Sequence, residues 1–132
     1  MSGERNLKTL LKSMSPQLLD GEYVFCTFKD AQYGDYSELQ PIATVSECEG
    51  LTLVVPRAIA DERNVIYETA FKGITLKIHS SLNAIGLTAA FSKKLSEHGI
   101  SANVYAGFFH DHIFVQSIFA DQAMAALKEF AV

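Results

Sequence analysis

The chain has 132 residues, 48% of them apolar and 20% charged, a balance that sustains a packed core and excludes disorder as its main state. Its formal net charge is −4 and its pI about 5.5; with no basic stripe longer than Lys93-Lys94, nucleic acid and anionic membrane are not expected as partners. No apolar run is long enough to cross a bilayer, and the charged start MSGERNLKTLLKSM lacks the apolar centre of a secretion signal, so the expected location is cytoplasmic.

In chain order, Leu7, Leu10, Leu11 and Met14 follow the i, i+3, i+4, i+7 rule and predict an amphipathic helix over about 4–14. Ser15-Pro16 predicts a second short helical turn holding Leu18 and Leu19, closed by Asp20-Gly21. Tyr23–Phe28 is rich in β-branched and aromatic residues and reads as a buried strand. Cys26 within it reads as a structural thiol, while Cys48 lies between Glu47 and Glu49, where negative charge disfavours the thiolate. The two cysteines have neither a metal nor a redox spacing. Lys29–Gln40 reads as a long loop punctuated by Gly34. Pro41–Ser46 and Leu51–Val55 then predict a hairpin around Glu47–Gly50, ended by Pro56. Ala58–Arg63 predicts a short helix and Ile66–Ala70 a further strand.

The second half is more regular. Gly73–His79 alternates Ile74, Leu76 and Ile78 against Thr75, Lys77 and His79, the pattern of a half-buried strand. Ser80–Asn83 reads as a loop, with Ser81 or Asn83 as the N-cap of a helix running to about Glu97. Leu87, Phe91 and Leu95 mark the buried side of that helix and Gly99 its left-handed stop. Ile100–Ala106 and Ile113–Gln116 read as strands joined by a turn at Gly107–Asp111. Ala120, Ala123, Met124 and Leu127 mark a last amphipathic helix. The order β-α-β-β-α is one strand short of the split βαβ pattern, and that strand must come from the first half or from a partner subunit.

Ser80–Val115 carries the functional signal. Gly86 near a helix start would let a ligand approach the backbone, and the N–H groups after it suit a carboxylate; close helix–sheet packing would equally explain this glycine. At the tip Phe109–His112, Asp111 suits an amino or guanidino group, or caps its own turn. Phe108-Phe109 suits a pocket wall or a contact with another subunit. His110 and His112 would converge if both lay on one strand, but His79 and His98 are isolated in sequence and no third ligand completes a metal site. No nucleophile elbow, Gly-rich phosphate loop or paired carboxylate site stands out, so no enzyme is expected.

Several segments resemble the ACT domain, a small amino-acid-binding regulatory module. They are Tyr23-Val24-Phe25, Glu49-Gly50-Leu51-Thr52-Leu53-Val54, Ser80-Ser81-Leu82, Gly86-Leu87-Thr88-Ala89-Ala90-Phe91, His98–Val104 and His110-Asp111-His112-Ile113-Phe114-Val115. The match is closer to a bacterial group of small ACT-domain-containing proteins without assigned function, and more distant to the cytosolic arginine sensors of eukaryotes. The resemblance implies an α+β fold: a ferredoxin-like (ACT) βαββα(β) module over 71–132. A degenerate second ACT-like half over 22–70 precedes it, in which the loop Lys29–Gln40 replaces the first helix, and a helical segment spans 1–21.

The same resemblance implies a non-catalytic regulatory or sensor module that binds a free amino acid. Its site would be Asn83, Ala84, Ile85, Gly86, Leu87 and Thr88, with Phe109, Asp111 and His112 as partners. Serines, Asn83 and Ala84 stand where many such loops carry an Asp and a Pro-Gly pair. No cofactor and no metal is implied, and a homodimer or higher homo-oligomer is. Two alternatives remain: an ACT-like interaction module without ligand, motivated by the sheet edge that a missing strand leaves free, and a metal-dependent enzyme centred on His110 and His112.

Overall fold

The computed structural model describes residues 6–78 and 86–131. Asn6 opens the first helix, α1 (Leu7–Ser13), by accepting a hydrogen bond from the Thr9 N–H at 3.1 Å. The helix stops because Met14 turns extended, and Pro16 holds Ser15 extended as well, since the ring of a proline excludes the helical region for the residue before it. The helical turn expected at Ser15–Leu19 is therefore a strand, β1 (Ser15–Leu18). Proline is tolerated there because β1 pairs on one side only, with β5 (Phe71–Lys77).

The chain divides into two compact units, one of them Gly21–Phe71 and the other the chain up to Asp20 together with Lys72 onward. In the latter unit β5 is followed by α3 (Leu87–Glu97), β6 (Asn103–Ala106), β7 (Asp111–Gln116) and α4 (Ala120–Lys128). The strands neighbour one another in the order β1-β5-β7-β6. This is the ferredoxin-like arrangement, with its fourth strand supplied by Ser15–Leu18 and by no partner subunit. β1 runs antiparallel to β5, with Ser15 opposite Lys77, and β6 antiparallel to β7, with Asn103 opposite Phe114. One face of the sheet packs Ile74, Leu76, Ile113 and Val115 against Leu10 of α1, Phe91 and Leu95 of α3 and Ala123 and Leu127 of α4. On the other face Gly73 approaches Phe114 and Thr75 is only 7% exposed. Both faces of β5 are thus covered, where the alternating sequence predicted a strand wet on one side.

In the unit Gly21–Phe71, β2 (Tyr23–Phe28) and β3 (Ala43–Glu47) flank β4 (Gly50–Pro56), both antiparallel to it, and Tyr23 also pairs with Phe71. α2 (Arg57–Glu62) follows directly. Val24, Cys26, Leu51, Leu53, Val55 and Ala60 form the core, and Leu39, from a short 3-10 turn at Ser37–Leu39, fills the place that a helix after β2 would take. Ile66–Ala70 forms no strand. Ile66 is 91% exposed, and the segment is held by the Tyr67 hydroxyl, which donates to Asp61 Oδ1 at 2.7 Å and accepts from Arg57 Nε at 3.0 Å. Side-chain bonds have taken over from ladder pairing.

Candidate functional site

α3 begins at Leu87, and its N-cap is Gly86 at a φ of 90°. Ser81 and Asn83, the expected caps, lie outside the described residues with Ala84 and Ile85. The Gly86 carbonyl accepts from the Ala90 N–H at 2.9 Å, and no side chain among the described residues caps this end. The first N–H groups of a helix have no partner within it and suit water or an anion. A side chain at Gly86 would be strained by that φ, and its Cβ would come within 3.3 Å of Leu7 Cδ2. The close neighbour is α1 rather than the sheet. Leu87 is buried in the core and Thr88 is exposed, so Leu87 can offer a ligand only its backbone.

The contacts of Thr75 with His112 and of Gly73 with Phe114 give β5 and β7 an antiparallel register. β7 therefore begins where β5 ends. β6 starts opposite Phe114, at the far end, and α3 reaches it through Ser101 and Ala102. With about 1.5 Å of rise per residue, α3 returns its N-terminus to the end of the sheet that carries the turn between β6 and β7. Gly86 and that turn share one end of the unit.

Asp111 and His112 belong to β7, opposite Ala106 and Tyr105, rather than to the turn, which shrinks to Gly107–His110. The Gly107 N–H donates to the His110 carbonyl at 2.9 Å. A Cβ at Gly107 would lie 2.7 Å from that oxygen, so the turn closes only on glycine. Because side chains alternate along a strand, Asp111 shares the helix-covered face with Ile113, while His112 faces Thr75 on the other. The His112 Nδ1 lies 3.0 Å from Thr75 Oγ1. Asp111 and His112 thus do not line one pocket side by side. Phe109 is 65% exposed and meets Phe108 edge to face, with ring centres 5.1 Å apart.

Burial pushes the Asp111 carboxyl up, with His112 and then His110 pulling it back down. Burial likewise pushes the His112 imidazole down, assisted by His110 and opposed by Asp111. His110 Nδ1 is buried without a hydrogen-bond partner among the described residues, and buried polar atoms of this kind are ordinarily satisfied. His110 precedes the strand, so it and His112 do not share a strand face. Among the described residues no three His, Cys, Asp or Glu side chains come together as metal ligands. Cys26 is buried, with its thiol pKa raised by that burial and its Sγ 3.6 Å from the Leu53 carbonyl; such a thiol is inert. No helix among the described residues is long and apolar enough to cross a membrane.

ACT-domain family profiles match residues 2–72 and 71–129. In structure the chain is similar to a protein of unknown function from Vibrio cholerae described as a "Possible Transport Protein". The two are 55% identical over 96% of each chain, with a TM-score of 0.88. It is also similar to the ligand-free regulatory subunit of aspartate kinase from Thermus thermophilus, 8% identical over 90% of this chain and 97% of that one, TM-score 0.65. Aspartate kinase from Clostridium acetobutylicum is 9% identical over 98% of this chain and 36% of its own, TM-score 0.66. The last two likenesses concern the fold alone. Among curated proteins none matches significantly.

Proposed function

The chain belongs to the ACT-domain family, whose members are regulatory ligand-binding modules, and from that premise we propose that it is a non-catalytic sensor of a free amino acid. The observation that supports this reading is the first turn of α3 behind Gly86, which no described side chain caps, at the same end of the sheet as the turn whose His110 Nδ1 is buried without a partner among the described residues. The backbone N–H groups of Gly86, Leu87 and Thr88 receive the ligand's carboxylate, together with Asn83, Ala84 and Ile85. Asp111 receives its cationic group. Phe109 supplies an apolar wall, and His112 fixes the start of β7 through Thr75. The exposed pair Phe108 and Phe109 favours closure of this site by a second copy of the chain in a cytoplasmic homodimer.

Thermal-shift and calorimetric titration with each common amino acid tests this. At least one is expected to raise the melting temperature and bind saturably. Thr88→Asp, which sets a carboxylate in the exposed first turn while suiting the helix dipole, is expected to fold and lose binding. Gly86→Asp serves as a second probe. If no amino acid shifts the melting temperature, or if Thr88→Asp and Gly86→Asp both fold and bind unchanged, the proposal fails. The interaction-module reading loses its original motive, because β1 occupies the edge of β5 that was expected to be free.

A further inference from the structure

The His112 side chain is held between two separated parts of the chain. Its Nδ1 lies 3.0 Å from the Thr75 hydroxyl of β5. The other edge of its ring lies against the turn between β6 and β7, where a Cβ on Gly107 would stand 3.4 Å from Nε2 and 3.7 Å from Cδ2. The imidazole thus fills the space between a strand and a turn that closes through the Gly107 N–H and the His110 carbonyl.

A second imidazole belongs to the same turn. His110 Nδ1 is buried with no hydrogen-bond partner among the described residues. A neutral ring can present a bare nitrogen to such a place; a charged ring carries an N–H at both nitrogens and needs an acceptor for each. The charges around the two rings do little to help. Thr75 faces His112 and Gly73 faces Phe114, so by register the exposed Lys77 of β5 stands across from His110. On the same face β1 brings the neutral Gln17 and Ser15, and β6 brings Tyr105 opposite His112. Burial holds the His112 ring neutral, with His110 adding to that effect and the Asp111 carboxylate opposing it.

We propose that the turn Gly107–His110 is a proton-operated catch, closed on two neutral imidazoles and released when they take up protons. Release lets the charged nitrogens reach water and parts the rings from each other and from Lys77. Acid drives it because the closed turn resists charge on His112 and the open turn does not, so the open form takes up that proton first as pH falls. Asp111 works in the opposite sense, since its raised pKa favours the closed turn in acid. Phe108 and Phe109 ride on this turn, 57% and 65% exposed, so the apolar surface they offer changes with it. Any effect on self-association rests on the homodimer reading above; the catch itself does not.

Amide hydrogen exchange by NMR on the full chain tests this at the bond that closes the turn. Between pH 7.5 and 5.5 the protection factor of the Gly107 amide is expected to fall about fivefold or more, while that of the core residue Leu127 holds. The fall is expected to share its midpoint with the imidazole carbon shifts of His112. In His112→Gln, which keeps a polar side chain without the charge, Gly107 protection is expected to stay within about twofold over the same range. Asp111→Asn is expected to deepen the fall. Constant Gly107 protection in the parent overturns the proposal, as does a midpoint apart from that of His112, or a fall that Leu127 shares. A fall undiminished in His112→Gln, or abolished by Asp111→Asn, assigns the response to another group and overturns it equally. Should His112→Gln not fold, the midpoint in the parent decides alone. Sedimentation velocity at both pH values separates the two readings: a monomer throughout, with Gly107 still responding, sinks the homodimer and upholds the catch.

Discussion

The two ACT-like units solve one packing problem in different ways. The unit built on β5 covers a sheet face with three helices, whose Leu10, Phe91, Leu95 and Leu127 are all essentially inaccessible. The unit Gly21–Phe71 has a single helix of six residues and a loop where another helix would stand. A helix seals its own backbone and offers a continuous apolar stripe; a loop can insert single side chains such as Leu39 and leaves hollows between them. The difference teaches that losing a helix need not cost a unit its core. It exchanges sealed surface for concave surface, and a cavity of about 510 Å³ lined by Phe28, Tyr36, Leu39 and Val65 is the result.

The contrast is broken most severely by emptying each core. Phe91→Ala is expected to destabilise the chain by about 3–5 kcal/mol, and Leu53→Ala to fall near the low end of the usual range of about 2–5 kcal/mol, because the loop can settle into the vacated space. Urea unfolding measures both; a Leu53→Ala cost above that of Phe91→Ala would reverse the ranking of the two units. Next comes overpacking of the doubly covered strand. A Cβ at Gly73 would lie 2.9 Å from Leu19 Cδ1 and 3.1 Å from Phe114 Cε1, so Gly73→Val should cost about 1–3 kcal/mol. A variant as stable as the parent would mean that this face of β5 is open.

Smaller again is Thr75→Val, which strips His112 of its hydrogen-bond partner at a cost of about 1 kcal/mol. His112 also predicts a pH dependence. Its folded pKa lies below the unfolded value, so the unfolded chain takes up the proton first as pH falls. Its contribution to stability is present above the ordinary histidine pKa and is lost as pH drops through the folded one. Asp111 works in the opposite sense: its raised pKa favours the fold at low pH and loses that advantage as pH rises through the folded value. Stability measured from pH 7 to 5 should fall less in His112→Gln than in the parent. An identical slope would show that the imidazole titrates as though free. The smallest effect belongs to Arg57, whose bridge to Glu22 at 3.0 Å is part-exposed; Arg57→Gln should lower stability only slightly, by an amount that diminishes in salt.

Periodicity revealed the elements whose burial is one-sided. α1, α3 and α4 show their apolar stripes, and β2 and the β3–β4 hairpin show their residue types. It misled where context outside the window decides. Pro16 reads as a helix opener, yet what matters is the distant edge of β5 that Ser15–Leu18 can reach. Ile66–Ala70 has strand composition but lacks a partner, since Tyr67 spends its hydroxyl on Arg57 and Asp61. For the site, Gly86 and the turn at Gly107 were legible because glycine marks backbone demands. The opposite facing of Asp111 and His112 was hidden until the start of β7 was known.

The strand Ser15–Leu18 has a consequence for how the chain is made. Its partner residues Ile74–Lys77 leave the ribosome about 60 residues after it, so closing that ladder carries the entropy of a long loop. In the interval Gly21–Phe71 is synthesised entire, with its own pairings all local to it. Vectorial synthesis therefore favours a nested order of assembly, in which the middle of the chain condenses first. This strand, made before the unit Gly21–Phe71, is then secured after it. Until then its unpaired backbone is a site where chaperones, or another nascent copy, can intervene.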